Sequence, residues 1–318
     1  MCYNITGEIM MINMLADKSS SLGLILIISM IAINVILLIV FLCVLLKKPT
    51  QKYVDNDTSK YNTKYPILLV HGMVLKDFKL YRAFRKIKDV LIDNKVKVFV
   101  SNIDGIGTIK NNAKQLKQEI LRILDKEKVE KINIIAHSKG GLDSRYMISR
   151  LEMEDKVASL TTLSTPHHGS KLSRRLMKLP NWIKKIIAFF VNTFYKICKD
   201  SNPDIIGVGK DLSDDNMIKF NEEILNSNKV FYQSYSSSLK SNKMFILKIP
   251  SAVMYKIEND DSDGIVSINS SIWGEYQGNM PDGVDHAKMV GAYGTYKSLL
   301  TTSKFYLNIV KDLKDKNF

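Results

Sequence analysis

The sequence predicts an α/β fold: a mostly parallel sheet with helices on both faces. Short, mainly apolar runs recur at residues 66–70 (PILLV), 96–100 (VKVFV), 132–135 (INII) and 157–163 (VASLTTL), each bounded by polar or turn residues. Runs of that kind fit strands buried on both faces. Stretches with helical spacing separate them, at 80–92 and through Ala113, Leu116, Ile120, Leu121 and Leu124. Alternating strands and helices specify a parallel sheet, whose sites gather at the C-terminal ends of the strands.

The first 64 residues precede this pattern. Residues 1–21 read as an N-terminal tail. Residues 22–46 carry no charge and exceed the roughly 20 residues a helix needs to cross hydrocarbon, so one retained transmembrane helix is expected there. No small-residue cleavage site comes after the run, which disfavours a signal peptide. Lys47, Lys48 and Lys52 crowd its C-terminal flank. Positive flanks favour the cytoplasm, but the rule weakens before a long domain. Residues 47–64 are polar and aperiodic, and read as a solvated tether.

The chain has 318 residues and a formal net charge of +14, with 45% hydrophobic residues. That content excludes disorder and provides for a packed core in a domain spanning 65–318. Only Glu8, Asp17 and Lys18 are charged before residue 47, so the positive charge belongs to the chain from residue 47 onward. Such a balance attracts anionic surfaces without choosing among them. Cys2, Cys43 and Cys198 show no metal or redox spacing, so no disulfide-built or zinc-built fold is expected.

The chemistry lies after the strands. The run 132–135 leads into Ala136-His137-Ser138-Lys139-Gly140-Gly141 and then a helical pattern over 142–151. A serine on a sharp strand-to-helix turn, among small neighbours, has its hydroxyl lifted above the sheet. Ser138 is the candidate nucleophile, and it needs a base. The chain has five histidines. In this arrangement the acid and then the histidine come after the serine in the chain, which selects His286 as base. His167 and His168 are adjacent, so they read as loop residues near the site. For the acid, Asp260, Asp261 and Asp263 precede Gly264-Ile265-Val266-Ser267, a loop turning into an extended run; Asp282 and Asp285 are alternatives. Backbone N–H groups would complete the site as an oxyanion hole: that of Lys139, after the nucleophile, and that of Met73, after the first strand.

These pieces together resemble the bacterial triacylglycerol lipases of the α/β-hydrolase superfamily. The likeness runs through YPILLVHGM at 65–73, INIIAHSKGGLDSRYMIS at 132–149, LTTLSTPHHGS at 160–170, DLSDDNMIKFN at 211–221, SDGIVS at 262–267 and DHAKMVG at 285–291. It implies the α/β-hydrolase fold with a helical lid, at about 171–210. It also implies a catalytic triad of Ser138, Asp263 and His286, oxyanion donors Met73 and Lys139, and no cofactor. Ala136 stands where a glycine is usual. Lys288 stands where many relatives hold a calcium-binding aspartate, so no metal is expected.

Within the lid stretch, basic residues mix with Ile183, Ile187, Phe190 and Phe194 at helical spacing, a basic amphipathic helix able to cover an acyl pocket or lie on lipid. Cys198 reads as a small packing residue. The expected activity is hydrolysis of carboxylic esters of lipids by a membrane-anchored serine hydrolase. Acyl transfer or phospholipase action with the same triad is one rival, and a silent tethered binding domain another. The expected partners are a lipid or ester substrate and the membrane, with no nucleic acid. An extracytoplasmic catalytic domain suits this function.

Overall fold

The computed structural model describes residues 53–74, 83–239, 255 and 257–318. The expected tail and transmembrane helix lie outside them. Among the described residues no helix is long and apolar enough to cross a membrane.

Among the described residues six strands form one sheet: β1 (Ile67–Val70), β2 (Val98–Val100), β3 (Ile132–His137), β4 (Val157–Leu163), β5 (Phe231–Ser236) and β6 (Glu275–Asn279). Their order is β2-β1-β3-β4-β5-β6, and every neighbouring pair is parallel. The order reverses at β1, so β3 is central and the loop after it opens where a parallel sheet places its sites.

Among the described residues the helices include α1 (Arg85–Asp93), α2 (Ile109–Glu127), α3 (Lys139–Arg150), α4 (Lys171–Met177), α5 (Asn181–Ile197), α6 (Ile205–Asp211), α7 (Asp214–Glu223), α8 (Ile268–Ser271) and α9 (Tyr296–Asp315). On one face of the sheet, Leu68, Val70, Ile134 and Ala136 pack against Ala113, Leu116 and Ile120 of α2 and Met147 and Ile148 of α3. The methyl of Ala136, fully buried, belongs to this layer. Strand alternation turns Ile67, Leu69 and Ile135 to the opposite face, and they are equally inaccessible. Thr108 caps the start of α2, its side chain accepting from the Asn111 N–H at 3.4 Å. That hydroxyl satisfies one of the donors a helix start leaves open.

Residues 53–64 depart from the expected solvated tether. The Asp55 carboxylate pairs with Lys60 at 3.0 Å and accepts from the Tyr61 hydroxyl at 2.9 Å. The Asp55 N–H donates to Asn94 Oδ1 at 2.7 Å, and Tyr61 is buried. Side-chain hydrogen bonds to a neighbouring helix end hold this segment where no apolar periodicity does.

The stretch 171–211 holds the three helices α4, α5 and α6; along α5, Ile187 lines the cavity at Ser138, whereas the phenylalanines of the expected stripe face outward. Phe190 is 65% exposed and Phe194 38%. No residue of α5 is buried. Cys198, just after it, is buried.

Candidate active site

Ser138 sits between β3 and α3 with φ 55° and ψ −135°, a strained conformation for a residue with a Cβ. Two hydrogen bonds hold the turn: the Ser138 N–H donates to Leu163 O at 3.0 Å, and Thr165 Oγ1 donates to Ser138 O at 2.8 Å. The turn also needs room behind it. A Cβ on Gly140 would lie 2.4 Å from His71 O, and one on Gly141 would lie 2.2 Å from Thr165 Oγ1. The small residues after the serine are therefore a packing requirement of the bend.

His286 and Asp263 arrive from loops beyond the C-terminal edges of β5 and β6. His286 Nε2 lies 3.1 Å from Ser138 Oγ, and its Nδ1 lies 2.7 Å from Asp263 Oδ2. The carboxylate fixes the tautomer: Nδ1–H donates to Asp263, leaving the Nε2 lone pair facing the hydroxyl. Asp263 is fully buried, and its other oxygen accepts from the N–H groups of Ile265 at 3.0 Å and Val266 at 2.9 Å. This tight turn, closed by Asp263 N–H to Val266 O at 3.2 Å, replaces the extended run expected over 264–267. Its N–H groups are consumed by the carboxylate they orient, so it cannot extend into a strand; Ser267 then caps α8.

The other acids have different partners. Asp260 accepts from the Asn269 N–H. Asp285, also buried, takes the Tyr293 hydroxyl. Asp261 and Asp282 are exposed. Lys288 Nζ donates to Gly283 O at 2.8 Å and lies 3.9 Å from Asp285. An ammonium beside that carboxylate makes the donor set unsuited to a divalent cation.

Met73 and Lys139 flank the serine. A Cβ on Gly72 would fall 2.7 Å from Ser138 Cβ and 3.1 Å from Lys139 N, so the loop after β1 presses directly on the bend. Lys139 opens α3 and its side chain turns inward, donating to Asp143 at 2.7 and 3.0 Å. Both residues are buried, and Asn112 donates to the same carboxylate at 3.1 Å. Burial raises the Asp143 pKa to about 6, against the lowering pull of Lys139. Lys139 and Asp143 are four residues apart, a helical pairing visible in the sequence but not drawn from it.

His167 is buried away from the serine. It lies 3.0 Å from Thr162 Oγ1 and 3.3 Å from Arg145 Nη1, stacked on Trp273. Arg145 lies 3.5 Å above the same indole, and burial lowers its pKa to about 9. His168 lies beside this stack, 3.3 Å from Ile272 O. The adjacent histidines thus pack on Trp273, in the segment that follows α8.

A cavity of about 250 Å³ opens at Ser138, lined by Leu172, Leu176, Ile187, Ile205, Val208 and Val266 among others. A polarised hydroxyl at the mouth of an apolar cavity can attack a carbonyl whose substituent is apolar.

Residues 62–235 match the family described as "Putative serine esterase (DUF676)". The chain belongs to this family. It is a carboxylic ester hydrolase by that membership and by its relatives. The esterase is 29% identical over 290 residues to triacylglycerol lipase 2 of Saccharomyces cerevisiae, covering 84% of this chain and 81% of that one. It is 35% identical over 116 residues to a triacylglycerol lipase of Pseudomonas fragi, covering 36% and 39% of the two chains. Solved structures sharing the esterase's fold include the metagenomic carboxyl esterase MGS0156, with a TM-score of 0.63, 16% identity and coverage of 85% and 79%. Mature Bacillus licheniformis lipase BlEst2 has a TM-score of 0.56, 18% identity and coverage of 83% and 96%.

Proposed function

We propose that this esterase is a membrane-tethered hydrolase of lipid esters, acylglycerols among them, acting through an acyl-enzyme. One observation carries the reading: an unbroken Asp263–His286–Ser138 hydrogen-bond chain ending at the mouth of an apolar cavity. Ser138 Oγ attacks the ester carbonyl carbon while its proton passes to His286 Nε2. Asp263 holds Nδ1–H and stabilises the imidazolium. The backbone N–H groups of Met73 and Lys139 receive the oxyanion. Collapse breaks the bond to the alcohol oxygen, which takes the proton from Nε2, and the acyl group stays on Ser138. Water repeats the sequence, and a carboxylic acid leaves. The cavity suits a single acyl chain.

The uncharged run 22–46 supports the tether, and a lipid substrate supports an extracytoplasmic catalytic domain. Replacing Ser138 with Ala is expected to abolish p-nitrophenyl ester turnover and fluorophosphonate labelling while the fold persists. Labelling of that variant at the ordinary rate would refute the assignment. Labelling intact cells with an impermeant fluorophosphonate, against permeabilised ones, tests topology: a signal only after permeabilisation places the domain inside.

A further inference from the structure

The outward side of α4 and α5 combines two properties that the ester chemistry does not require. The first is apolar exposure. Trp182, Ile186, Phe189, Phe190 and Ile197 are 61%, 50%, 66%, 65% and 74% exposed. Successive steps of three or four residues put Trp182, Ile186 and Phe189–Phe190 on one side of α5, and Ile197 continues that side two turns later. The second is charge. Between residues 171 and 199 there are eight cations and no carboxylate. Lys171 and Arg174 are paired with Glu258 and Asp214. Arg175, Lys178, Lys185, Lys196 and Lys199 are exposed, and among the described residues none of them forms a salt bridge.

We infer that this face docks on anionic bilayers, with α5 lying in the plane of the membrane surface. A helix with bulky apolar side chains outward and lysines beside them matches the boundary between acyl chains and negative headgroups. The apolar side chains enter the outer acyl layer, and the cations remain among the phosphates. A second copy of the chain fits poorly, because a two-fold contact through this face would set two sets of like charges against each other. Leu176 and Ile187 of these helices also line the cavity at Ser138. The docked face is therefore next to the cavity that accepts the substrate. Docking needs no turnover, so it goes beyond the proposed reaction and can fail independently of it.

The two tryptophans provide the test. Trp182 lies on α5, whereas Trp273 is stacked under Arg145. The full chain is reconstituted into phosphatidylcholine vesicles and into mixed phosphatidylcholine–phosphatidylglycerol vesicles, both with brominated acyl chains. Any insertion by the N-terminal run is then common to both. Trp182 fluorescence should be quenched in the mixed vesicles, with apparent affinity for the lipid surface falling about tenfold on raising salt to about 0.5 M. Replacing Arg175, Lys178, Lys185, Lys196 and Lys199 together with Gln should remove the quench while p-nitrophenyl butyrate hydrolysis in detergent stays at its original rate. The Trp182→Phe variant should lose the quench as well. Equal quenching in both vesicle types would overturn charge-selective docking. So would an absence of quenching with hydrolysis intact, which would assign the face to a protein surface or a second copy. Quenching that survives in Trp182→Phe would place the contact elsewhere.

Discussion

The imidazole of His137 lies against that of His286, with ring centroids 4.4 Å apart and planes inclined by 52°. His137 is buried, and burial holds its pKa well below 6.5, with the charge interactions of His286 and His71 pulling the same way against a weaker raising contact from His286. The residue before the nucleophile thus presents a neutral ring to the one that shuttles the proton in the proposed reaction. A neutral aromatic neighbour adds no positive charge beside the imidazolium formed during turnover.

That depressed pKa makes stability depend on pH. The unfolded chain protonates His137 near pH 6.5 and the folded chain does not, so stability is lost as pH falls below about 6.5, at a limiting slope of about 1.4 kcal/mol per pH unit. His167, depressed by burial and by Arg145, adds in the same sense. Asp143, whose pKa is raised to about 6, acts oppositely, reducing stability as pH rises between about 4 and 6. Urea unfolding of His137→Phe between about pH 7 and 5 should show the acid slope reduced by one ring's share, about 1.4 kcal/mol per unit. An unchanged slope would show that His137 does not remain neutral.

The Lys139–Asp143 pair gives a second expectation. Replacing Lys139 with Met leaves a buried carboxylate without its cation and should cost about 3–5 kcal/mol by chemical denaturation. The double variant Lys139→Met, Asp143→Leu should recover most of that loss, because apolar side chains of similar size fill the space without desolvated charge. A double variant as unstable as the single one would mean that the site needs ions rather than volume.

Gly72 sets the spacing between the two proposed oxyanion donors. Replacing it with Ala puts a methyl 2.7 Å from Ser138 Cβ and 3.0 Å from His137 O, so the β1 loop or the bend must shift. A displacement approaching 1 Å lowers turnover by about 10²-fold. Steady-state kinetics should show the loss in kcat, with KM little changed. A variant with wild-type kcat would show that the loop gives way without moving its N–H groups.

The cavity should set acyl-chain preference. A Cβ on Gly209 would lie 2.5 Å from Met177 Cε, and Met177 lines the cavity. Replacing Gly209 with Leu should lower the octanoate-to-butyrate ratio of p-nitrophenyl ester hydrolysis by about tenfold, since a filled pocket excludes the longer chain first. A constant ratio would place the acyl chain outside this cavity.

The sequence revealed the centre of the fold better than its edge. β1, β3 and β4 are buried on both faces and therefore read as apolar runs. β5 (FYQSYS) is also largely buried, but through hydrogen bonds: Gln233 donates to Thr161 Oγ1, and Ser234 Oγ accepts from the Trp273 N–H. Polar strands satisfied by side chains leave no apolar signature, and the exposed edge strand β6 (EYQGN) leaves less. At the site, a bend pointed to Ser138 and the chain order to His286; the residues alone left five aspartates open, and only the family resemblance singled out Asp263, because the turn that holds it reads in sequence as an extended run. The inward course of Lys139 and the Arg145–Trp273 stack were not legible, since a buried charge looks in sequence like any solvated one.

The separation of 148 residues between Ser138 and His286 has a consequence for biosynthesis. β1 to β4 are complete by Leu163, so the strand that carries Ser138 and its neighbours leave the ribosome well before His286, the proposed general base. At about 5–20 residues per second, the serine is made roughly 7–30 s ahead of its histidine. A nascent or prematurely terminated polypeptide ending in that interval carries a nearly built scaffold but lacks the proposed relay, so under the proposed mechanism it is inert toward esters of the cell producing it.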